Sequence, residues 1–171
     1  EVRVLEKKQS LVKETVKGKT VSSTSSAVLK DVFTPSKIKT KRNKPQINET
    51  ESQEYKLASD YFYARKYNEA IVQYDKLITK YPKGVYADNA VYWKGECHFA
   101  VGNYAKAVAS YQNVFSYLKT EKADDAQFKI GLAYLRMGDK KQSVAELQKL
   151  LSLYPDSEYV GRSKQELKKL R

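Results

Sequence analysis

"VGNYAKAVASY", residues 101–111, decides the fold, because the chain repeats it in two other versions. Thirty-seven residues earlier stands "ARKYNEAIVQY" (64–74), and thirty-six residues later stands "MGDKKQSVAEL" (137–147). Each has a turn, polar residues, a small residue, an aliphatic and then a bulky apolar residue. Recurrence at a fixed period of this length means stacked units, none of which buries its apolar face alone.

Around each copy the apolar spacing is helical. Residues 53–64 and 68–80 carry apolar positions three and four apart, with a break at Arg65-Lys66 and a stop at "YPKG". The pattern returns over 87–101 and 104–118 around Gly102-Asn103, and over 123–137 and 140–153 around Gly138-Asp139, with Pro155 after. This predicts three antiparallel helix pairs, with repeats at about 51–86, 87–122 and 123–156. The stretch 157–171, with Asp156 or Ser157 as cap, puts Val160, Ser163, Leu167 and Leu170 on one narrow face and charge elsewhere. It reads as a helix covering the open end of the stack.

Two helices approach closely only where a small residue faces a large one. Ala58, Gly95 and Gly131 form one small column, and Ala70, Ala107 and Ser143 the other. The bulky columns beside them are Tyr61, His98, Tyr134 and Tyr74, Tyr111, Leu147.

Composition separates a tail from this core. All 14 tyrosines and the single tryptophan follow residue 50, and the first 50 residues hold 12 of the 32 Lys+Arg but only 5 of the 20 Asp+Glu. Residues 1–50 are therefore expected to be a disordered basic linker, too poor in apolar residues to offset its ordering entropy. Val4, Leu5, Leu11, Val12 and Val16 hint at the last two heptads of a coiled coil through which the chain would homo-oligomerise. "KTKRNK" (39–44) reads as a solvated basic run before it reads as a polyanion patch, and "NET" (48–50) fits a glycosylation sequon. The opening decapeptide lacks the apolar run of a signal peptide, and no stretch approaches the roughly 20 apolar residues of a membrane span. The chain is thus expected to be soluble.

Catalytic chemistry is sparse. The only histidine, His98, falls in a packing column, and the only cysteine, Cys97, lies beside it with no second histidine to activate it. Both read as structural. The carboxylates read as scattered over solvent faces. No enzyme, metal or cofactor is expected.

The small, large, turn, small, large pattern, closed by Pro82 and Pro155, resembles the tetratricopeptide repeat, a helix-turn-helix unit of about 34 residues. The implied fold is an all-α solenoid of three such hairpins and a capping helix. Connectors such as "KYPKGVYADNAVYWKGECHFAVGNYAKAVASYQNV" and "LYPDSEYVGRSKQELKKL" are similar to the C-terminal domain of the YbgF/CpoB family, periplasmic accessory proteins of the Tol-Pal envelope system. That resemblance covers 51–171. It implies a coiled coil, a linker and three repeats in that order, a periplasmic place near the outer membrane, and partners among Tol-Pal components or cell-wall synthesis machinery. The outer-membrane assembly lipoprotein BamD has similar connectors but five repeats, against three here.

A stack of hairpins exposes its first helices along a concave wall. On that wall repeat one presents Ser52, Tyr55, Ser59 and Phe62; repeat two presents Asn89, Tyr92, Glu96 and Phe99; repeat three presents Asp125, Phe128, Leu132 and Leu135, with Lys129 and Arg136 at the edge. Exposed aromatic rows of this kind anchor a peptide or helix of a partner protein, although some rings would pack as core instead. The resemblance does not extend to a clamp for chaperone tails, because Tyr55, Ser59 and Trp93 occupy the matching columns. The expected function is a non-enzymatic adaptor of the bacterial envelope. The alternative is a cytoplasmic or nuclear adaptor whose basic tail meets nucleic acid or another polyanion; Phe33 alone supplies a stacking ring there, which argues against single-strand readout.

Overall fold

The hairpin turns are set by backbone chirality. Arg65, Gly102 and Gly138 occupy the same place in successive repeats, and all three have left-handed backbone, with φ of 57°, 79° and 82°. In each turn the next residue's N–H reaches back to close the preceding helix: Lys66 to Tyr61 O at 2.9 Å, Asn103 to His98 O at 2.8 Å and Asp139 to Tyr134 O at 3.0 Å. Glycine takes this conformation without strain, whereas Arg65 takes it at some cost.

The computed structural model describes residues 48–118 and 120–170. Among them are seven helices and no strand: α1 (Glu49–Tyr63), α2 (Tyr67–Lys80), α3 (Ala87–Ala100), α4 (Tyr104–Val114), α5 (Ala123–Arg136), α6 (Lys140–Leu153) and α7 (Val160–Lys169). Among the described residues no helix is long and apolar enough to cross a membrane. The expected linker and coiled-coil end before residue 48 lie outside the described residues. Each helix packs against its neighbours in sequence, which makes the stack an all-α solenoid.

The small columns perform as the sequence reading requires. Ala58, Ala70, Ala107 and Ser143 are fully buried. A Cβ on Gly95 would stand 2.6 Å from the Tyr111 ring, and one on Gly131 would stand 2.7 Å from Leu147 Cδ2. A third small column, Ala90, Ala126 and Ser163, is equally buried where each hairpin meets the one before it. Through Ser163, α7 joins this series, and Val160, Leu167 and Leu170 cover Phe128, Leu147 and Leu150.

Three helix ends differ from expectation by three residues or more. α1 starts at Glu49, because the Asn48 side chain accepts the Thr50 N–H at 3.0 Å and Glu49 and Glu51 favour the first turn. The asparagine of the sequon is therefore a helix cap. α4 ends at Val114 and not at residue 118; Phe115, Ser116 and Tyr117 bond three residues back, and the Ser116 hydroxyl donates to Asn113 O at 2.7 Å. Leu118, 95% exposed, stands outside the core as a result. α7 starts at Val160: the Ser157 hydroxyl donates to Asp124 at 2.6 Å and accepts the Tyr159 N–H at 3.2 Å, which holds a turn ahead of the helix.

Candidate functional site

The first turns of α1, α3 and α5 carry acidic residues in one column: Glu51, Asp88 and Asp124. Sequence reading placed such carboxylates in solvent. Each instead accepts a hydrogen bond from the connector into the next hairpin. Glu51, only 3% exposed, accepts from Tyr86 N–H at 2.9 Å; Asp88 accepts from the Thr120 hydroxyl at 2.8 Å; Asp124 accepts from Ser157. A carboxylate binds such donors well because its charge strengthens the bond.

The residues that the connectors deliver cover the first aromatic row. Tyr86, Lys122 and Tyr159 are the N-cap residues of α3, α5 and α7. Tyr86 stacks on Tyr55 at 4.7 Å, the Lys122 ammonium lies 5.3 Å over Tyr92, and Tyr159 stacks on Phe128 at 4.7 Å. Tyr92 and Phe128 are consequently buried, 5% and 1% exposed. This corrects their placement on an open wall: the row packs one hairpin onto the next. Tyr159 also donates its hydroxyl to Asp125 at 2.5 Å, and Lys122 pairs with Asp125 at 3.2 Å.

In the second row, Phe62 lies edge-on to Trp93 at 4.9 Å, and Phe99 lies edge-on to Tyr104 at 5.2 Å with the Lys129 ammonium 5.7 Å above it. Both keep part of their surface in solvent. Between the rows, the Ser59 hydroxyl donates to Tyr55 O at 3.0 Å. Glu96 accepts the Tyr111 hydroxyl and pairs with Lys129, each at 2.5 Å. The Tyr111 phenol is raised well above its usual range, by burial first and the Glu96 charge second. Glu96 is thus held by its own fold and has little left to offer a ligand. Asn89 is half-buried on α3, away from the cavity described next.

Five of the expected groove residues do converge. Phe99, Phe128, Leu132 and Leu135 line a cavity of about 490 Å³, with Arg136 at its edge. The other wall comes from α7, through Arg162, Glu166 and Lys169. The α7 residues escaped sequence reading because their face read as a solvated cap. The signal was present: continuing the column Ser52, Asn89, Asp125 by one repeat reaches Arg162, and continuing Ser59, Glu96, Leu132 reaches Lys169. Tyr55, Ser59, Phe62, Asn89, Tyr92 and Glu96 do not line this cavity.

The remaining titratable candidates are enclosed. Burial pushes the Cys97 thiol up to about 12, far from the reactive range, and lowers His98, helped by Lys94 and Lys106. Among the described residues, no group of three or more His, Cys, Asp or Glu side chains is placed to hold a metal.

Two family models, both described as tetratricopeptide repeat, match residues 55–114 and 125–157. The chain carries tetratricopeptide repeats. No curated protein matches it in sequence. Solved structures share the fold at low identity. The Yersinia enterocolitica type III secretion chaperone SycD, in complex with a peptide of the translocator YopD, superposes with a TM-score of 0.61 at 20% identity, over 72% of this chain and 93% of that one. PcrH from Pseudomonas aeruginosa gives 0.60 at 19%, over 72% and 92%. The first tetratricopeptide domain of Spaghetti (RPAP3), bound to the HSP90 peptide SRMEEVD, gives 0.58 at 19%, over 70% and 89%. The likeness to these structures is one of fold. In this tetratricopeptide stack the first helices α3 and α5, together with α7, enclose a cavity that gathers expected groove residues.

Proposed function

We propose that the protein is a non-enzymatic adaptor that holds a segment of a partner protein in the cavity between α3, α5 and α7. The observation that carries this reading is the cavity's composition: an apolar floor of Phe99, Leu132 and Leu135, backed by the buried Phe128, under a charged rim. Recognition sites for peptides combine these features, an apolar anchor pocket and polar groups that fix orientation. The peptide complexes of two similar structures, SycD and RPAP3, agree with it.

The reading extends to the bacterial envelope, on the periplasmic side and near the outer membrane, with Tol-Pal or cell-wall assembly proteins as partners. Its support is the resemblance of the connectors around Pro82 and Pro155 to the YbgF/CpoB family. Homo-oligomerisation through the N-terminal heptads belongs to the same reading. A basic tail that engages a polyanion is the second reading, supported by the 12 Lys+Arg against 5 Asp+Glu of residues 1–50.

A photo-crosslinking residue at Leu135 of the full chain, expressed in bacterial cells, tests the adaptor role. One discrete protein adduct is expected at Leu135 and none at the equally apolar, exposed Leu118. Equal adducts at both places refute the groove. Loss of the adduct in a cytoplasmically retained form supports the envelope, and a steep fall of nucleic-acid binding with salt would favour the second reading.

A further inference from the structure

We propose that the occupant of this cavity is an acidic, leucine-like segment, whose carboxylate is read by Arg136 and Arg162. The proposal rests on the groove reading above and adds the chemistry of the ligand.

The argument is one of charge left over. Of the four charged residues around the cavity, Lys169 is satisfied by Glu166 at 2.8 Å, on its own helix. Arg136 and Arg162 have no ionic partner among the described residues, and both are exposed at the rim. The other cation near the floor, Lys129, is committed to Glu96. Two guanidinium groups therefore face one opening whose lining carboxylate, Glu166, is already paired with Lys169. Arg162 is also oriented, with its guanidinium 4.9 Å from the Phe128 ring and 6.0 Å from Tyr159. A guanidinium stacked on a ring keeps its N–H edge available and loses little freedom when it takes a carboxylate in two-pronged fashion. The floor below supplies the other half of the match: Leu132 and Leu135 are half-buried and apolar, suited to an aliphatic side chain next to the carboxylate. The device depends on α7, which is therefore a wall of the site as well as a cover for the core.

The test uses the full chain and two labelled nonapeptides, one alternating leucine with glutamate and the other leucine with glutamine, followed by fluorescence anisotropy at about 0.1 M salt. The glutamate peptide is expected to bind about tenfold tighter or better. Arg162→Gln and Arg136→Gln should each weaken it roughly five- to tenfold while leaving the glutamine peptide unchanged. If neither substitution weakens the glutamate peptide, its carboxylates sit on other cations of this +12 chain and the proposal is overturned. Leu132→Ser should weaken both peptides; if it weakens neither, the groove reading itself fails and takes the proposal with it. Absence of binding by either peptide up to about 1 mM overturns it as well.

Discussion

Tyr92→Ala separates a packing ring from a ligand contact. The ring is 5% exposed and lies 5.7 Å from Tyr111 and 5.6 Å from Trp93, under the Lys122 ammonium. Removing a buried aromatic side chain costs about 3–5 kcal/mol, counting both lost transfer energy and the cavity. The low end applies, because the ring's outer side is closed only by a lysine. A loss of about 3 kcal/mol in a stack of this size lowers Tm by roughly 9–15 °C. Tyr92→Phe keeps the ring and removes only the hydroxyl, so it should stay within about 1 kcal/mol of the parent. Phe99→Ala, on the partly exposed groove floor, should cost roughly 1–2 kcal/mol of stability while weakening groove ligands. Thermal melts followed by far-UV circular dichroism give the three values. If Tyr92→Ala melts like the parent, the ring is not core and the account of the capped row is wrong.

Three further expectations follow from particular contacts. Gly95→Ala should destabilise by about 1–2 kcal/mol, since its Cβ meets the Tyr111 ring, whose hydroxyl is fixed on Glu96; Gly131→Ala meets a Leu147 side chain that can yield, so denaturant titration should show a smaller loss. Arg65→Gly should stabilise by up to about 1 kcal/mol by relieving left-handed backbone at φ 57°, measured as a higher midpoint in urea. His98 has its folded pKa lowered from 6.5 by burial, with Lys94 and Lys106 adding to it, so the unfolded chain binds the proton first: its stability contribution is present above pH 6.5 and lost as pH falls through the lowered value. His98→Gln should flatten that part of a Tm-against-pH curve, and an unchanged slope would refute the assignment.

Much of the fold was legible because repetition exposes sterics. Gly95 and Gly131 announced close approach by recurring opposite Tyr111 and Leu147, and the turn at Gly102 and Gly138 announced itself by the residue that tolerates it. The site was legible in part. Spacing of three and four identifies a helix face, but it does not reveal what covers that face. Tyr92 and Phe99 share one on α3, yet Lys122 comes back over the first and leaves the second partly open. The carboxylate column was hidden for a different reason. Its members are Glu51, Asp88 and Asp124, and their donors, a backbone N–H and two hydroxyls, lie 32 to 35 residues downstream, so no local pattern joins them. Arg162 was hidden by charge: a basic residue on a terminal helix looks solvated until the aromatic ring beneath it is seen.

The reach of those carboxylates sets how this molecule can change. Each hairpin extends one acidic grip forward, to the connector of its successor, and receives one cap residue back. Among the described residues no hydrogen bond spans more than the 35 residues of the Glu51 to Tyr86 link. In these hydrogen bonds every unit addresses only the next, the carboxylate and the returning cap residue recur at each joint, and a duplicated 87–122 segment would arrive with both already in place. The length of the binding trough is thereby an editable quantity, open to tandem copying without a redesign of the joints, while the arginine-bearing end wall stays with the last helix.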